Sequence, residues 1–468
     1  MLIEEACVPA VRSRPESVSL RLAITTMLAV VGVLALTATA SADTDFSDVP
    51  SDSTFATEIA WLAESGITQG RGDGTFGVGD PVTRGAMAAF LYRSAGEPTD
   101  ATALREIAGG SGYTCALDDD GSVWCWGALT SGENAFAPPT LTVRPTRIDG
   151  VDDAVRLEAA ASDTFVHSCA ILADGSVTCW GEGNPLQPGW RTEGFVPDPR
   201  PITVPDVTGA QELTVGGNHA CALDGGGQVW CWGENIAGAI GVDENQHQVP
   251  PTRLDALGVM SDIDAGAQHT CSVDRDGGVW CWGDNGSGKS GQPLDEPRSH
   301  VPRQVAGLPA VTEVAAGRQH TCARTVDGEV WCWGSNRFGE LGAGTGDDRP
   351  QPVRIDALSG VRQLSTAGAH TCAVDASGDA WCWGHNVAGQ LGDGTELREG
   401  TSGGSASSPR RVIGVPAIAA IAPAAGNHSC ALDTSGRAWC WGDNGAAQLG
   451  RGDAGGRDAV AAPVVSFG

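Results

Sequence analysis

Lysine is almost absent from this chain of 468 residues: Lys289 is the only one, and the formal net charge is −28. Nucleic acids bind to basic surfaces that neutralise their phosphates, and anionic membranes attract basic segments for the same reason. The large excess of negative charge therefore argues against a nucleic-acid partner. It also argues against a membrane partner beyond one apolar segment near the N-terminus.

Features of enzymes are scarce as well. The chain has two tyrosines, Tyr92 and Tyr113. Turns such as Asp119-Asp-Gly-Ser-Val-Trp124 resemble the Asp-box of sialidases, but those enzymes need a tyrosine nucleophile, and neither tyrosine is suitably placed. The HExxH motif of metalloproteases is missing. We therefore predict no catalytic residue, no cofactor and a protein that is not an enzyme.

Cysteine is the strongest positive signal in the sequence. Fourteen of the fifteen cysteines form seven pairs with a spacing of ten residues, and successive pairs start 50 to 58 residues apart. Repeats of this length made of short β segments are typical of a propeller or a repeat array. Zinc sites need closer cysteine spacing with histidine partners, so no metal is predicted. The pairs are Cys115 with Cys125, Cys169 with Cys179, Cys221 with Cys231, Cys271 with Cys281, Cys322 with Cys332, Cys372 with Cys382, and Cys430 with Cys440.

A glycine follows the first cysteine of every pair after six residues, as Gly378 follows Cys372. Glycine readily adopts the left-handed conformation that the third residue of a three-residue hairpin loop requires. With residues 376–378 in the loop, Cys372 lies opposite Cys382, and directly opposed cysteines can form a disulfide. We therefore predict seven disulfides, each stapling the hairpin of one blade.

Tryptophans flank the second cysteine in six repeats, as in Trp381-Cys382-Trp383, and Thr178 replaces the first of them in the second repeat. Alternation along a strand places both indoles on one face and the disulfide on the other. An exposed tryptophan pair in every repeat would form large apolar patches. We therefore expect both faces to be buried by stacking of the blades around an axis.

The odd cysteine, Cys7, lies in a segment with the features of a secretory signal. Three arginines precede the apolar run 22–38, and Ala40-Ser41-Ala42 fits a cleavage site. Removal of residues 1–42 would leave only paired cysteines, as expected in an oxidising compartment. We predict a secreted or cell-envelope protein, with an uncleaved anchor at residues 1–42 as the alternative.

Residues 43–97 contain Phe46-Ser-Asp-Val-Pro50 and Val82-Thr-Arg84, with apolar residues at helical spacing. They resemble one S-layer homology repeat, a helical module that opens with FxDV and starts its second helix with TR. In that family, sets of repeats bind pyruvylated cell-wall polysaccharide through the TR arginine. The resemblance implies that Arg84 binds the wall. A module that only spaces or dimerises is the alternative.

Residues 98–103 are predicted to be a linker and residues 104–468 to be the repeats. The motifs Gly317-Arg-Gln-His-Thr-Cys-Ala323, Trp381-Cys-Trp-Gly384 and Gly389-Gln-Leu-Gly392 resemble those of the regulator of chromosome condensation repeat family. The resemblance implies an all-β fold, a seven-bladed β-propeller, in agreement with the seven cysteine pairs. Its nuclear member is a guanine nucleotide exchange factor, and a secreted bacterial propeller of similar fold inhibits β-lactamase.

Six histidines lie two residues before the first cysteine of a repeat, and Tyr113 takes this position in the first repeat. They are His167, His219, His269, His320, His370 and His428. Equivalent positions in a large ring lie too far apart to bind one metal ion. We expect each histidine to tie its hairpin to a loop by a hydrogen bond. Segments such as Gly392-Asp-Gly-Thr395 are interpreted as turns rather than as calcium sites.

Departures from the repeat mark candidate contact surfaces. The first two repeats lack the GxLG motif and carry residues 128–139 and 182–199 instead. Trp190 and Phe195 in the second of these are candidate partner-binding residues, because aromatic side chains in irregular loops often anchor contacts. Local packing is the alternative. The insertion at residues 396–411 is rich in glycine and serine, and its core is predicted to be flexible.

Together these features predict a non-enzymatic propeller that binds an extracellular protein or a cell-wall polysaccharide and is attached to the wall through its N-terminal module. The alternative is a carbohydrate-active propeller enzyme with carboxylates at its central channel. Guanine nucleotide exchange, implied by the family, is less favoured because a secretory signal would separate the chain from GTPases.

Overall fold

The structure is a computed structural model, and it describes residues 103–129, 141–160, 166–181, 200–242, 247–395 and 404–465. The predicted signal, the helical module with Arg84, and nearly all of the linker lie outside the described residues. Trp190 and Phe195 lie outside them as well. Within the described ranges, no helix is long and apolar enough to cross a membrane.

Seven antiparallel sheets make up the described part, and each contains four consecutive strands of the chain. We number these sheets as blades 1 to 7. Blade 1 comprises β1 (Leu104–Gly109), β2 (Tyr113–Asp118), β3 (Val123–Ala128) and β4 (Leu141–Arg147). Blade 2 comprises β5 (Ala154–Ala159), β6 (Ser168–Leu172), β7 (Val177–Trp180) and β8 (Ile202–Thr203). Blade 3 comprises β9 (Ala210–Val215), β10 (His219–Asp224), β11 (Val229–Glu234) and β12 (Gln248–Arg253).

The remaining four blades repeat this order of strands. Blade 4 comprises β13 (Met260–Ala265), β14 (His269–Asp274), β15 (Val279–Asp284) and β16 (Arg298–Gln304). Blade 5 comprises β17 (Val311–Ala316), β18 (His320–Thr325), β19 (Val330–Gly334) and β20 (Arg349–Arg354). Blade 6 comprises β21 (Val361–Ala367), β22 (His370–Asp375), β23 (Ala380–His385) and β24 (Ser405–Arg411). Blade 7 comprises β25 (Ile418–Pro423), β26 (His428–Asp433), β27 (Ala438–Asp443) and β28 (Arg457–Pro463).

The predicted hairpin register is present in the structure. In blade 6, Cys372 lies opposite Cys382 and Val374 opposite Ala380, and Gly378 has φ +84°. Asp375 and Asp379 flank the loop, and the Asp375 N–H donates to the Asp379 carbonyl at 3.0 Å, as the three-residue loop requires.

Each blade contains one disulfide, and it lies within the hairpin of that blade. The Cα–Cα distances of 4.0 to 4.1 Å are typical of pairs that do not exchange backbone hydrogen bonds, where side chains lie close enough for an S–S bond. In chain order, the bonds join Cys115 to Cys125, Cys169 to Cys179, Cys221 to Cys231, Cys271 to Cys281, Cys322 to Cys332, Cys372 to Cys382, and Cys430 to Cys440.

Neighbouring blades bury the two faces of each hairpin against each other. The disulfide between Cys322 and Cys332 of blade 5 packs in one cluster with Trp383 of blade 6. The same pairing of a disulfide with the next blade's tryptophan occurs at all seven junctions. The blade stacking predicted from alternation is therefore present, and it buries apolar area on both faces of every sheet.

The first strand of each blade contacts the first strand of the next, and β25 contacts β1, so these strands line the centre of the ring. No strand is shared between the first and the last blade in the described part, since every sheet there is made of consecutive strands. Packing closes the ring instead: Leu104 and Trp126 of blade 1 lie in one cluster with Leu432 and Leu449 of blade 7. This closure removes exposed faces at the ends of the array.

Two expectations need correction. The first tryptophan of a pair is not fully buried in most blades: Trp381 is half-buried and Trp383 is completely buried. The Trp381 Nε1–H donates to Asp375 Oδ2 at 3.0 Å. The other oxygen of this carboxylate accepts a hydrogen bond from the backbone N–H of Ser377 in the hairpin turn. Also, residues 405–408, predicted to be flexible, belong to strand β24, where Ala406 pairs with Gly384 of β23.

Candidate functional site

A loop of one blade inserts its backbone carbonyl into the next blade. At the junction of blades 5 and 6, the Glu340 carbonyl accepts hydrogen bonds from Trp383 Nε1 at 2.8 Å and from Thr371 Oγ1 at 3.2 Å. His320 Nε2 in blade 5 lies 2.8 Å from the same Thr371 oxygen. Three hydrogen bonds thus connect the two blades through groups that are almost completely buried.

The same three bonds recur at four further junctions. The carbonyls belong to Ala239, Lys289, Gln390 and Gln448, which stand second in the GxLG or equivalent loop. The histidines and hydroxyls that pair at 2.8 to 2.9 Å are His219 with Thr270, His269 with Thr321, His370 with Ser429, and His428 with Thr114. We call the hydrogen bonds of these five junctions the belt. The last pair joins blade 7 to blade 1, so the belt continues across the closure of the ring.

The belt determines where the histidine protons are. The Thr371 hydroxyl has one hydrogen, and it is donated to the Glu340 carbonyl. His320 must therefore donate from Nε2, which in a neutral ring leaves Nδ1 unprotonated. Burial lowers the pKa of His320 to about 3, in agreement with a neutral ring.

The expected bond between hairpin and loop is therefore made through an intermediate group. The histidine binds the hydroxyl of the next blade, and that hydroxyl binds the loop. Within the described residues, no cluster of three histidine, cysteine or acidic side chains could hold a metal ion. Asp393 of the Asp-Gly turn accepts hydrogen bonds from the backbone N–H and the hydroxyl of Thr395, as a turn residue does.

Acidic side chains on the inner strands surround the centre of the ring. The third residue of an inner strand often accepts a hydrogen bond from the next blade's backbone: Glu106 from Leu157 N at 2.7 Å, and Asp262 from Val314 N at 2.7 Å. Asp264 accepts from the next blade's backbone at 2.7 Å in the same way. These carboxylates therefore help to fix the angle between neighbouring blades.

Burial raises the pKa of several of these groups. The pKa of Glu158 is raised well above its usual value by desolvation and by the nearby Asp264 and Glu106, and the pKa of Glu212 is raised by desolvation and by Glu313. The pKa of Asp262 is raised by desolvation above all, although a backbone N–H opposes the shift. Like charges gathered in a desolvated channel favour the protonated forms.

Sequence reasoning named carboxylates at the channel but no individual residue. The signal was present, because the inner strands alternate buried apolar residues with acidic ones, as in Met260-Ser-Asp262-Ile-Asp264. The fourteen paired cysteines lie where they were predicted. Arg84, Trp190 and Phe195 remain predictions, since they lie outside the described residues.

Comparison with protein families agrees with this geometry. Residues 166–466, well over half of the chain, match the RCC1-like domain, and residues 105–133 match the regulator of chromosome condensation (RCC1) repeat. Residues 45–88 match the S-layer homology domain.

Curated relatives resemble the repeats only in part. The E3 ubiquitin-protein ligase HERC2 of Homo sapiens is 27% identical over 269 residues, which are 56% of this chain and 6% of the ligase. The ultraviolet-B receptor UVR8 of Arabidopsis thaliana is 27% identical over 257 residues, which are 54% of this chain and 46% of the receptor. The chain thus spans less than half the length of each of these relatives.

Solved structures share the fold at low sequence identity. Prp20p of Saccharomyces cerevisiae, whose structure was described with its binding to Gsp1p and histones, superposes with a TM-score of 0.61 and 20% identity, covering 75% of this chain and 87% of Prp20p. Human WBSCR16 gives a TM-score of 0.61 and 20% identity, with 74% and 94% coverage. These similarities establish the fold alone.

Proposed function

Since the chain belongs to the RCC1-like domain family and carries one S-layer homology domain, we propose that it is an extracytoplasmic binding protein anchored at the cell wall. The S-layer homology domain holds it at the surface. The propeller binds a partner protein or glycan without chemical turnover. The seven disulfides, one in each blade, are typical of an oxidising compartment outside the cytoplasm.

One observation carries the proposal: the buried polar side chains at five junctions are used to join blades. At each of these junctions a histidine, a hydroxyl and a tryptophan meet one loop carbonyl. Such a ring is a rigid support, and recognition residues are commonly carried by variable loops on rigid supports. Blades 1 and 2 depart from the repeat in the loops that contain residues 128–139 and 182–199.

We expect the protein to sediment with isolated cell walls, and Arg84→Ala to weaken this binding about tenfold, as loss of a charged contact to an anionic glycan does. Arg93→Ala in the same module is the charge-matched control and should bind normally. The measurement is the bound fraction over a titration of wall material. Equal binding by the Arg84→Ala and Arg93→Ala variants would contradict the anchoring role.

A carbohydrate-active enzyme is the second candidate, favoured by the raised pKa of Glu158 in the channel. A carboxyl with a raised pKa can act as a general acid. We expect no release of reducing sugars from wall glycans. If release is found, a loss of about a hundredfold or more in Glu158→Gln would support the enzyme. Glu329→Gln, which alters a surface carboxylate paired with Arg354, is the control.

A further inference from the structure

The connections on the two faces of the ring differ in how much their lengths vary. On one face, four residues join the second strand of every blade to the third, as residues 119–122 do in blade 1. Six residues join each outer strand to the next inner strand on the same face, as residues 148–153 do. We call this the hairpin-turn face. On the opposite face, the loop face, the connection from third to outer strand varies between residues 129–140 in blade 1 and residues 181–201 in blade 2.

The chain enters the propeller on the hairpin-turn face. The first backbone N–H of each inner strand donates to the turn glycine of the preceding blade at 2.9 to 3.1 Å. For β1 this donor is Leu104 and the acceptor is Gly436 of blade 7, while the Ala103 carbonyl accepts from the Asp119 N–H in the turn of blade 1 at 3.1 Å. Because β1 is an inner strand, the entry point lies near the axis of the ring.

The distance from this entry point to the wall-binding domain is limited by chain length. The match to the S-layer homology domain ends at residue 88 and β1 begins at Leu104, so residues 89–103 lie between them. An unstructured chain of this length spans about 20 Å on average. A route to the loop face would cross four strands and then follow the length of one, together about 35 Å. The chain length therefore favours attachment on the side of the hairpin-turn face.

We propose that the anchored propeller has its hairpin-turn face toward the cell wall and presents its loop face outward, to a macromolecule that approaches from outside the cell. Turns of one length in every blade offer the same surface seven times, whereas proteins commonly place specific recognition on variable loops of a rigid scaffold. The inference rests on the proposed anchoring function and assigns a face of the propeller to each of its two contacts.

Amine chemistry can distinguish the two faces, because the only lysine of the chain is protected. Lys289 is completely buried, and its Nζ lies 2.6 Å from Asp284 Oδ2. Val326, in the hairpin turn of blade 5, is 67% exposed, and Leu294, in the loop between β15 and β16, is 58% exposed. Val326→Lys and Leu294→Lys therefore introduce the same charge at similarly exposed aliphatic positions of opposite faces.

The experiment labels each full-length variant free in solution and bound to isolated walls. The reagent is an N-hydroxysuccinimide ester on a polymer too large to enter the wall, and peptide mapping by mass spectrometry separates the introduced amine from the N-terminal one. We expect wall binding to slow the labelling of Val326→Lys severalfold and to leave the labelling of Leu294→Lys unchanged. Ser377→Lys in the turn of blade 6 and Thr345→Lys in the loop of blade 5 repeat the comparison at exposed polar positions.

Each variant is compared with itself free in solution, so any effect of the substitution on reactivity cancels. Equal changes at the two faces, or slower labelling at the loop positions alone, would overturn the orientation. Sedimentation of the variants with walls in that case would leave the anchoring function standing. Failure of the unaltered protein to sediment with walls would instead overturn the anchoring function and the orientation together.

Discussion

Reduction of the seven disulfides is expected to unfold the propeller. Each bond closes a hairpin with a sequence separation of ten residues, and by chain entropy each contributes about 2–3 kcal/mol. Seven such contributions amount to about 14–21 kcal/mol, which equals or exceeds the roughly 5–15 kcal/mol by which most domains are stable. For a single bond, Cys322→Ala with Cys332→Ala should lower the free energy of unfolding by about 2–3 kcal/mol, measured by urea denaturation.

The control for this prediction is Cys322→Val with Cys332→Val, which also lacks the bond but fills more of its volume than alanine does. If the covalent link rather than packing provides the stability, this pair should lose about as much as the alanine pair. If the double variant is as stable as the unaltered protein under oxidising conditions, backbone pairing and packing alone hold the hairpin. Non-reduced peptide mapping should recover seven links, each within one repeat.

The local part of this fold could be predicted from sequence because it is fixed within about ten residues. Gly378 sets the loop, the loop sets the register, and the register places Cys372 opposite Cys382. Alternation then places the tryptophans on the other face. The outer strand β24 could not be identified this way, since a glycine- and serine-rich sequence forms a strand only when a neighbouring strand such as β23 is available to pair with it.

Contacts between blades could not be predicted, because they join residues far apart in the chain. Thr114 meets His428 across 314 positions, and nothing near either residue identifies the other. The recurrence of histidine, threonine and GxLG was visible, but its meaning depends on which loop carbonyl reaches which indole. For the same reason, the sequence alone does not show that Ala220, which stands where five junctions have threonine or serine, removes a hydroxyl from the belt.

Acid is expected to destabilise the propeller most steeply between pH 4 and pH 3. Burial lowers the pKa of His320 and His370 to about 3 and that of His219 and His428 to about 4. These rings stay neutral when folded but are protonated below about pH 6.5 when unfolded. The unfolded chain thus binds more protons as the pH falls from about 6.5 to the folded pKa of each ring, and within that window each ring reduces the stability by roughly 1.4 kcal/mol per pH unit.

The channel carboxylates act in the opposite direction, as does Glu340 in the belt. Their folded pKa values are raised, to about 7 for Glu340, so the folded chain binds more protons between roughly pH 4 and those values, and acidification favours folding there. Below about pH 4 carboxyls are protonated in both states and this compensation ends. The histidine effect is therefore partly cancelled above pH 4, whereas between pH 4 and 3 the rings with folded pKa values of about 3, such as His320 and His370, act without this compensation.

His320→Phe and His167→Phe separate the charge effect from the hydrogen bond. Each variant lacks one buried imidazole. The free energy of unfolding of each should therefore fall less steeply between about pH 6.5 and 3, by about 1.4 kcal/mol per pH unit. At pH 8 only His320→Phe should be less stable, by about 1 kcal/mol, because His320 is bonded to Thr371 whereas His167 has no hydrogen-bond partner among the described residues. Urea denaturation curves followed by tryptophan fluorescence at several pH values measure both quantities. Equal losses at pH 8 would show that His167 is satisfied in solution.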